Sequence, residues 1–219
     1  MWVCSTFERE GLLTVILALR VVKLAFLDLI EEMFWLFLFN LLLALLGTLI
    51  LPLPLMAAGL AWVAAEIGQG KAIGWQTFID GARRYWKPAY LWGLINAVTW
   101  VIIVINYNFY SNLDATWAII PFWLLVSISL IWGVMQLYVL PLLILQEAPS
   151  LRLAYRNGLV LMASQPAVVI LLLVLIAVLA IATFFLPILA FVVDFAFIAL
   201  LANRAVLESV KVMKEREAR

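Results

Sequence analysis

From Ala167 to Phe185 the chain reads AVVILLLVLIAVLAIATFF. No residue in this stretch is charged, and Thr183 is its only polar side chain. Wound as an α-helix, a run of about 20 apolar residues matches the roughly 30 Å hydrocarbon core of a bilayer. The apolar residues follow one another without the alternation of a membrane β-barrel strand, so the stretch reads as a transmembrane helix. The rest of the chain shares its character. Of 219 residues 68% are hydrophobic and 12% charged, where a soluble domain has about 45–50% and about 25%. A soluble fold of this size has too little interior to hide that surface. The composition excludes a soluble enzyme, a nucleic-acid-binding domain and a disordered chain.

Outward from this stretch lie five more apolar segments: Met33–Leu51, Pro52–Ile67, Ala89–Tyr110, Trp117–Leu140 and Pro187–Asn203. Two of the joins are almost without polar residues, Leu51-Pro52-Leu53-Pro54 and Leu186-Pro187. Proline lacks a backbone donor and breaks or kinks a helix. Each join is therefore a tight hairpin turn, or else a kink leading into a re-entrant part; the hairpin is the preferred reading. Basic residues mark the cytoplasmic side. Lys71, Arg83, Arg84 and Lys87 fall between the second and third spans, Arg152 and Arg156 between the fourth and fifth, and Lys211, Lys214, Arg216 and Arg219 after the last. Ser111–Thr116 and the proline turns carry none. Six spans put all these cations on one side. The expected fold is an all-α integral membrane protein, six transmembrane helices in three hairpins, both termini cytoplasmic.

Each hairpin follows an amphipathic segment. Residues 1–32 form an N-terminal interfacial helix, because Arg20, Lys23 and Asp28 make Gly11–Glu32 too charged to span readily. Hairpin one covers 33–67. An amphipathic helix at 75–86 precedes hairpin two at 89–140, a second at 151–164 precedes hairpin three at 167–203, and 204–219 is a cytoplasmic tail. Pro88 and Pro166 open spans three and five at corresponding places, as suits a first helical turn. This is a weak threefold repeat with parallel units. Aromatic side chains such as Tyr107, Trp117, Trp75 and Trp86 fall at the expected interfaces. Ala57, Ala61, Ala64, Ala65 and Gly68 make one side of span two small enough for close packing, within the chain or between copies.

Ionisable and amide side chains within spans are the candidates for function. Asp194 leads them, in the middle of Pro187–Asn203, where insertion of a charge costs about 2.5–3.5 kcal/mol. Glu66 closes span two, and Arg204 closes span six with its head reaching toward the headgroups. Asn40, Asn96, Asn106 and Gln136 are polar positions that hydrogen-bond between helices or line a pathway. On the cytoplasmic side Arg83, Arg84 and Lys87, with Arg152 and Arg156, are candidates for docking a partner or lipid.

The catalytic inventory is short. There is no histidine, and Cys4 is the only cysteine. That removes histidine-based triads, common zinc sites and any intrachain disulfide. Cys4 reads as a free thiol. No P-loop or GxSxG motif is present, and the membrane carboxylates stand singly, which disfavours a metal site. The expectation is no enzyme activity, no cofactor, no metal and no nucleic acid, with the lipid bilayer as the certain partner.

The order of motifs from about Leu24 to Pro166 resembles the bacterial YesL-like family of integral membrane proteins, a family without assigned activity. The likeness is carried by Asn40, Pro54, Ala58-Gly59, Gly70, the run from Phe78 to Lys87 (FIDGARRYWK), Asn106 to Tyr110, Tyr138 to Leu143 (YVLPLL), Ala154 to Gly158 (AYRNG) and Pro166. The last hairpin is similar only in hydropathy. The resemblance implies a multi-pass protein of the prokaryotic cell (inner) membrane. It also implies an accessory or regulatory part in carbohydrate ABC-type uptake, with ABC-transporter subunits as partners. The alternative is a small channel or transporter formed by several copies of the chain, with Asp194 on its pathway.

Overall fold

The computed structural model describes the backbone of residues 2–47 and 49–217 and the side chains of 14–47 and 49–215. The side chains of Cys4, Arg216 and Arg219 lie outside these described residues. The chain is 88% helical, without a strand among the described residues. In order the helices are α1 (Trp2–Glu31), α2 (Met33–Gly47), α3 (Leu53–Gly68), α4 (Trp75–Arg84), α5 (Trp86–Ser111), α6 (Ile119–Leu145), α7 (Leu151–Ser164), α8 (Pro166–Phe185), α9 (Ile188–Val192) and α10 (Asp194–Glu217).

Among the described residues three helices are long and apolar enough to cross a membrane: α5, α6 with the short turn before it, and α8. A fourth crossing results if α1 and α2, bent by 92° at their junction, count as one broken span. These helices are inside-out by soluble standards. Only 6% of the most apolar window of α5 is buried within the protein. Leu94, Val98, Val101, Ile102 and Ile105 are all exposed along it. Apolar surface of that extent is stable only against lipid or protein, which fits an integral membrane protein. Helices α2 and α3 have 15 and 16 residues. At 1.5 Å per residue they reach about 22–24 Å.

Three packed helix pairs close into a ring. Helix α4 lies against α3 and α7 against α6, each amphipathic helix covering the helix that precedes it in the chain. Helix α1 lies against α10, the last of the helices described. Helices α3, α6 and α10 also touch one another pairwise and make the centre. Glycines permit the close crossings. A Cβ on Gly81 of α4 would sit 2.4 Å from Trp62 Cβ of α3. One on Gly158 of α7 would sit 3.0 Å from Met135 Sδ of α6. Both glycines follow a short polar residue, Asp80 and Asn157. The small-residue side of α3 is an internal contact: Ala61, Ala64 and Ala65 are buried, and Gly68 faces Asn203 and Leu207 of α10.

Four expectations are corrected. Pro187–Asn203 is not one helix. It breaks at Val193, and Asp194 opens α10 rather than sitting in the middle of a span. The apolar stretch from Phe191 to Val193 supplied no turn residue to betray the break. Residues 204–219 do not form a tail, since α10 runs on to Glu217 with Ala205, Val206, Glu208 and Ser209 buried. Arg204 does not reach outward, because it is paired with Asp28 across the α1–α10 contact. The amphipathic segment at 75–86 ends as α4 at Arg84, and Trp86 already belongs to α5.

Candidate functional site

Two clusters of polar side chains join the apolar helices and are built differently, whereas Asn106, Ser127 and Ser129 bond only carbonyls of their own helices. The first joins α5, α6 and α7. Gln136 Oε1 accepts from Trp92 Nε1 at 2.9 Å, from Asn96 Nδ2 at 3.0 Å and from the Tyr155 hydroxyl at 3.3 Å. Gln136 Nε2 donates to the Trp132 carbonyl at 3.0 Å, and Trp132 Nε1 donates to Asn96 Oδ1 at 3.2 Å. The Trp132 and Tyr155 rings stack with centroids 5.6 Å apart. Asn96 and Gln136, predicted from the sequence as a polar site, are thus brought together and spent on each other. They act as glue between helices. Burial raises the Tyr155 phenol above its ordinary pKa, and its hydrogen bonds with Gln136 and Asn96 oppose the rise.

The second cluster lies at the α9–α10 break. A broken helix leaves carbonyls and N–H groups without intrahelical partners, and within a membrane these must be satisfied by protein. Asn40, fully buried on α2, serves both ends. Its Nδ2 donates to the Ala190 carbonyl at 2.8 Å, and its Oδ1 accepts from the Ala196 N–H at 2.9 Å. Beside it Asp194 is 9% exposed. Thr183 Oγ1 of α8 donates to Asp194 Oδ2 at 2.6 Å. Asp194 Oδ1 is buried without a hydrogen-bond partner.

Between the clusters lies a cavity of about 290 Å³ at the ring centre. Leu60 and Ala61 of α3, Gln136 and Leu140 of α6, and Ala199 and Ala202 of α10 line it. Apart from Gln136 and the indole N–H of Trp92 this lining is apolar, a surface that holds water poorly.

In the middle of α10 the charges are paired. Arg204 Nε and Nη2 each donate to an Asp28 carboxylate oxygen at 2.6 Å, and Nη1 reaches the Gly68 carbonyl at 3.4 Å. Arg20 Nε lies 3.1 Å from Glu208 Oε2. Glu66 is bound by Lys71 at 3.0 Å. It lines a groove between α3 and α4 with Trp62, Thr77, Asp80, Arg83 and Arg84. The Arg84 guanidinium sits over the Trp62 ring at 5.2 Å. Arg83, Arg84 and Lys87 are exposed, as are Arg152 and Arg156 on α7, which lines a different face from α4. Tyr85, buried behind Arg84, donates its hydroxyl to the Ile144 carbonyl at 3.2 Å. Its burial raises the phenol pKa, with Arg84 opposing.

Sequence reasoning missed several of these partners. Thr183 carried a signal, as the lone polar residue of its apolar run. Asp28 and Glu208 carried none, since their cations lie on the helix at the other end of the chain. Among the described residues no group of acidic, cysteine or histidine side chains could hold a metal ion. Comparison with known proteins finds no matching family model, no matching curated protein and no matching solved structure.

Proposed function

We propose that the chain is a non-enzymatic integral membrane protein of the accessory kind, docking a partner through the cytoplasmic rim formed by α4 and its neighbours. The observation that carries this reading is the α3–α4 groove. There Arg83, Arg84, Asp80 and Glu66 line one open face of about 570 Å³, outside the long apolar helices. Two guanidinium groups with two carboxylates suit a partner surface of mixed charge, and a bidentate guanidinium contact adds orientation to attraction. The YesL-like resemblance, whose longest run from Phe78 to Lys87 takes in most of α4 and the start of α5, makes carbohydrate ABC-transporter subunits the partner of choice and the prokaryotic inner membrane the location. In this layout α2 and α3 form the first hairpin, α5 and α6 the second, and α8 with the broken α9–α10 the third. Both termini then lie on the cytoplasmic side.

The test is capture. Tagged wild type and the variant R83A/R84A/K87A are each purified gently from host membranes, and co-purifying proteins are identified by mass spectrometry. The reading expects stoichiometric transporter subunits with wild type and their loss with the variant, at unchanged helix content. Equal capture by both refutes docking at this groove.

A second reading, a small channel or transporter built from several copies, draws on the unpartnered oxygen of Asp194. The apolar central cavity and the mutual bonding of Asn96 and Gln136 weigh against a path within one copy. Cation flux in liposomes that is lost in D194N would carry this reading, and absence of flux at any pH removes it.

A further inference from the structure

We infer that the cavity at the ring centre is a binding site for one acyl chain of a bilayer phospholipid. The inference goes beyond partner docking and does not rest on it.

The chemistry of the lining selects hydrocarbon. The cavity holds about 290 Å³, and an apolar space of about 150 Å³ already admits benzene while staying dry. No charged side chain lines it. Its two side chains with hydrogen-bonding groups, Trp92 and Gln136, bond each other at 2.9 Å. Neither leaves a buried polar atom without a partner. A polar ligand would surrender its hydration there without a matching set of donors and acceptors. An empty space is also unfavourable, because the atoms around it forgo their packing contacts. A flexible run of methylene groups supplies those contacts and asks for no hydrogen bond.

At one end the cavity is continuous with the lipid-facing surface. Leu53 at the start of α3 and Phe195 in the first turn of α10 both line it, and they are 37% and 39% exposed. Leu60 and Ala202, seven positions further along the same two helices, line it as well and are buried. Seven helical residues rise about 10 Å, so the space runs inward by about that length from an exposed apolar rim. Exposed apolar surface of the same kind covers α5 at Leu94 and Val98. Within a membrane such surface is bathed in lipid tails, which are as apolar as leucine. A tail therefore passes the rim without leaving hydrocarbon, while its headgroup stays outside a lining that offers nothing to a phosphate. A helix from a protein partner, about 10–12 Å across with its side chains, is too bulky for this volume. The seated chain fills the place where α3, α6 and α10 meet, beside the Gln136 cluster that ties in α5 and α7.

The test is photo-crosslinking of the full chain in phosphatidylcholine liposomes, a small share of whose lipid carries a diazirine near the end of one acyl chain. Adducts are placed on the sequence by mass spectrometry. The expected result in wild type is adducts at Leu60–Ala61 and at Ala199–Ala202, together with adducts at the outward-facing Leu94 and Val98. In A61F and A199F, whose new rings occupy the space, the inner adducts should be lost and those on α5 retained. Where a variant does not fold, the wild-type map decides the matter. Wild-type adducts confined to outward-facing residues overturn the proposal. So do inner adducts that persist undiminished in folded A61F and A199F. A second arm offers palmitic acid with the same diazirine in otherwise unlabelled liposomes, and inner adducts from the free acid alone overturn the assignment to a phospholipid chain.

Discussion

Cutting the Asp28–Arg204 pair offers the sharpest test of the closed ring. The contact joins residues at opposite ends of the chain with no linker between them, whereas α3–α4 and α6–α7 are each followed directly in sequence. Asp28 and Arg204 side chains are 8% and 14% exposed, and both N–O distances of the bidentate pair are 2.6 Å. Removing one partner leaves the other charge buried and uncompensated, which costs about 3–5 kcal/mol. Removing both with apolar residues of similar volume is often neutral. The variants R204M and D28L should therefore each lose about 3–5 kcal/mol, while D28L/R204M should recover to within about 1 kcal/mol of wild type. The neighbouring Arg20–Glu208 contact is half open to solvent, with Arg20 55% exposed, so R20A should cost less than either single variant of the Asp28–Arg204 pair. The assay is reversible unfolding in mixed detergent micelles, followed by circular dichroism. Single variants that cost under about 1 kcal/mol would show a solvated pair. Costs that merely add in the double variant would refute the argument that the two charges are buried together.

Three further outcomes follow from the geometry. Gly81→Ala should separate α4 from α3 and sharply lower the melting temperature, because the new Cβ would stand 2.4 Å from Trp62 Cβ; Gly158→Ala, against a flexible methionine at 3.0 Å, should cost much less in the same thermal scan. Asn40→Leu should leave the Ala190 carbonyl and Ala196 N–H unsatisfied at about 1–3 kcal/mol each, read as faster amide exchange at Ala196 than elsewhere in α10. Stability should hold at neutral pH and fall above about pH 10, because the raised pKa values of Tyr85 and Tyr155 mean that the unfolded phenols ionise first. In Y85F that alkaline loss should shrink, and an identical pH profile for Y85F and wild type would remove Tyr85 as a cause.

The membrane class of the protein and its apolar helices were legible in the sequence because each depends on local properties. Ala167–Phe185 is a helix for lipid by composition and length alone. Pro166 marks the start of α8 by the chemistry of a single ring, and Pro88 falls in the first turn of α5, which opens at Trp86. Arg83, Arg84 and Lys87 are exposed because a charged residue outside an apolar run reaches water. Tertiary structure alone decided what the polar residues in those runs do. Asn96 and Gln136 became a bonded pair because α5 and α6 turned those faces together. Asn40 became the mend of a helix break that no proline or glycine announced. Arg204 turned inward because α1, from the far end of the chain, brought Asp28 to it. A hydrogen bond or ion pair needs a partner within about 3 Å, and sequence separation says nothing about that distance once the chain has closed on itself.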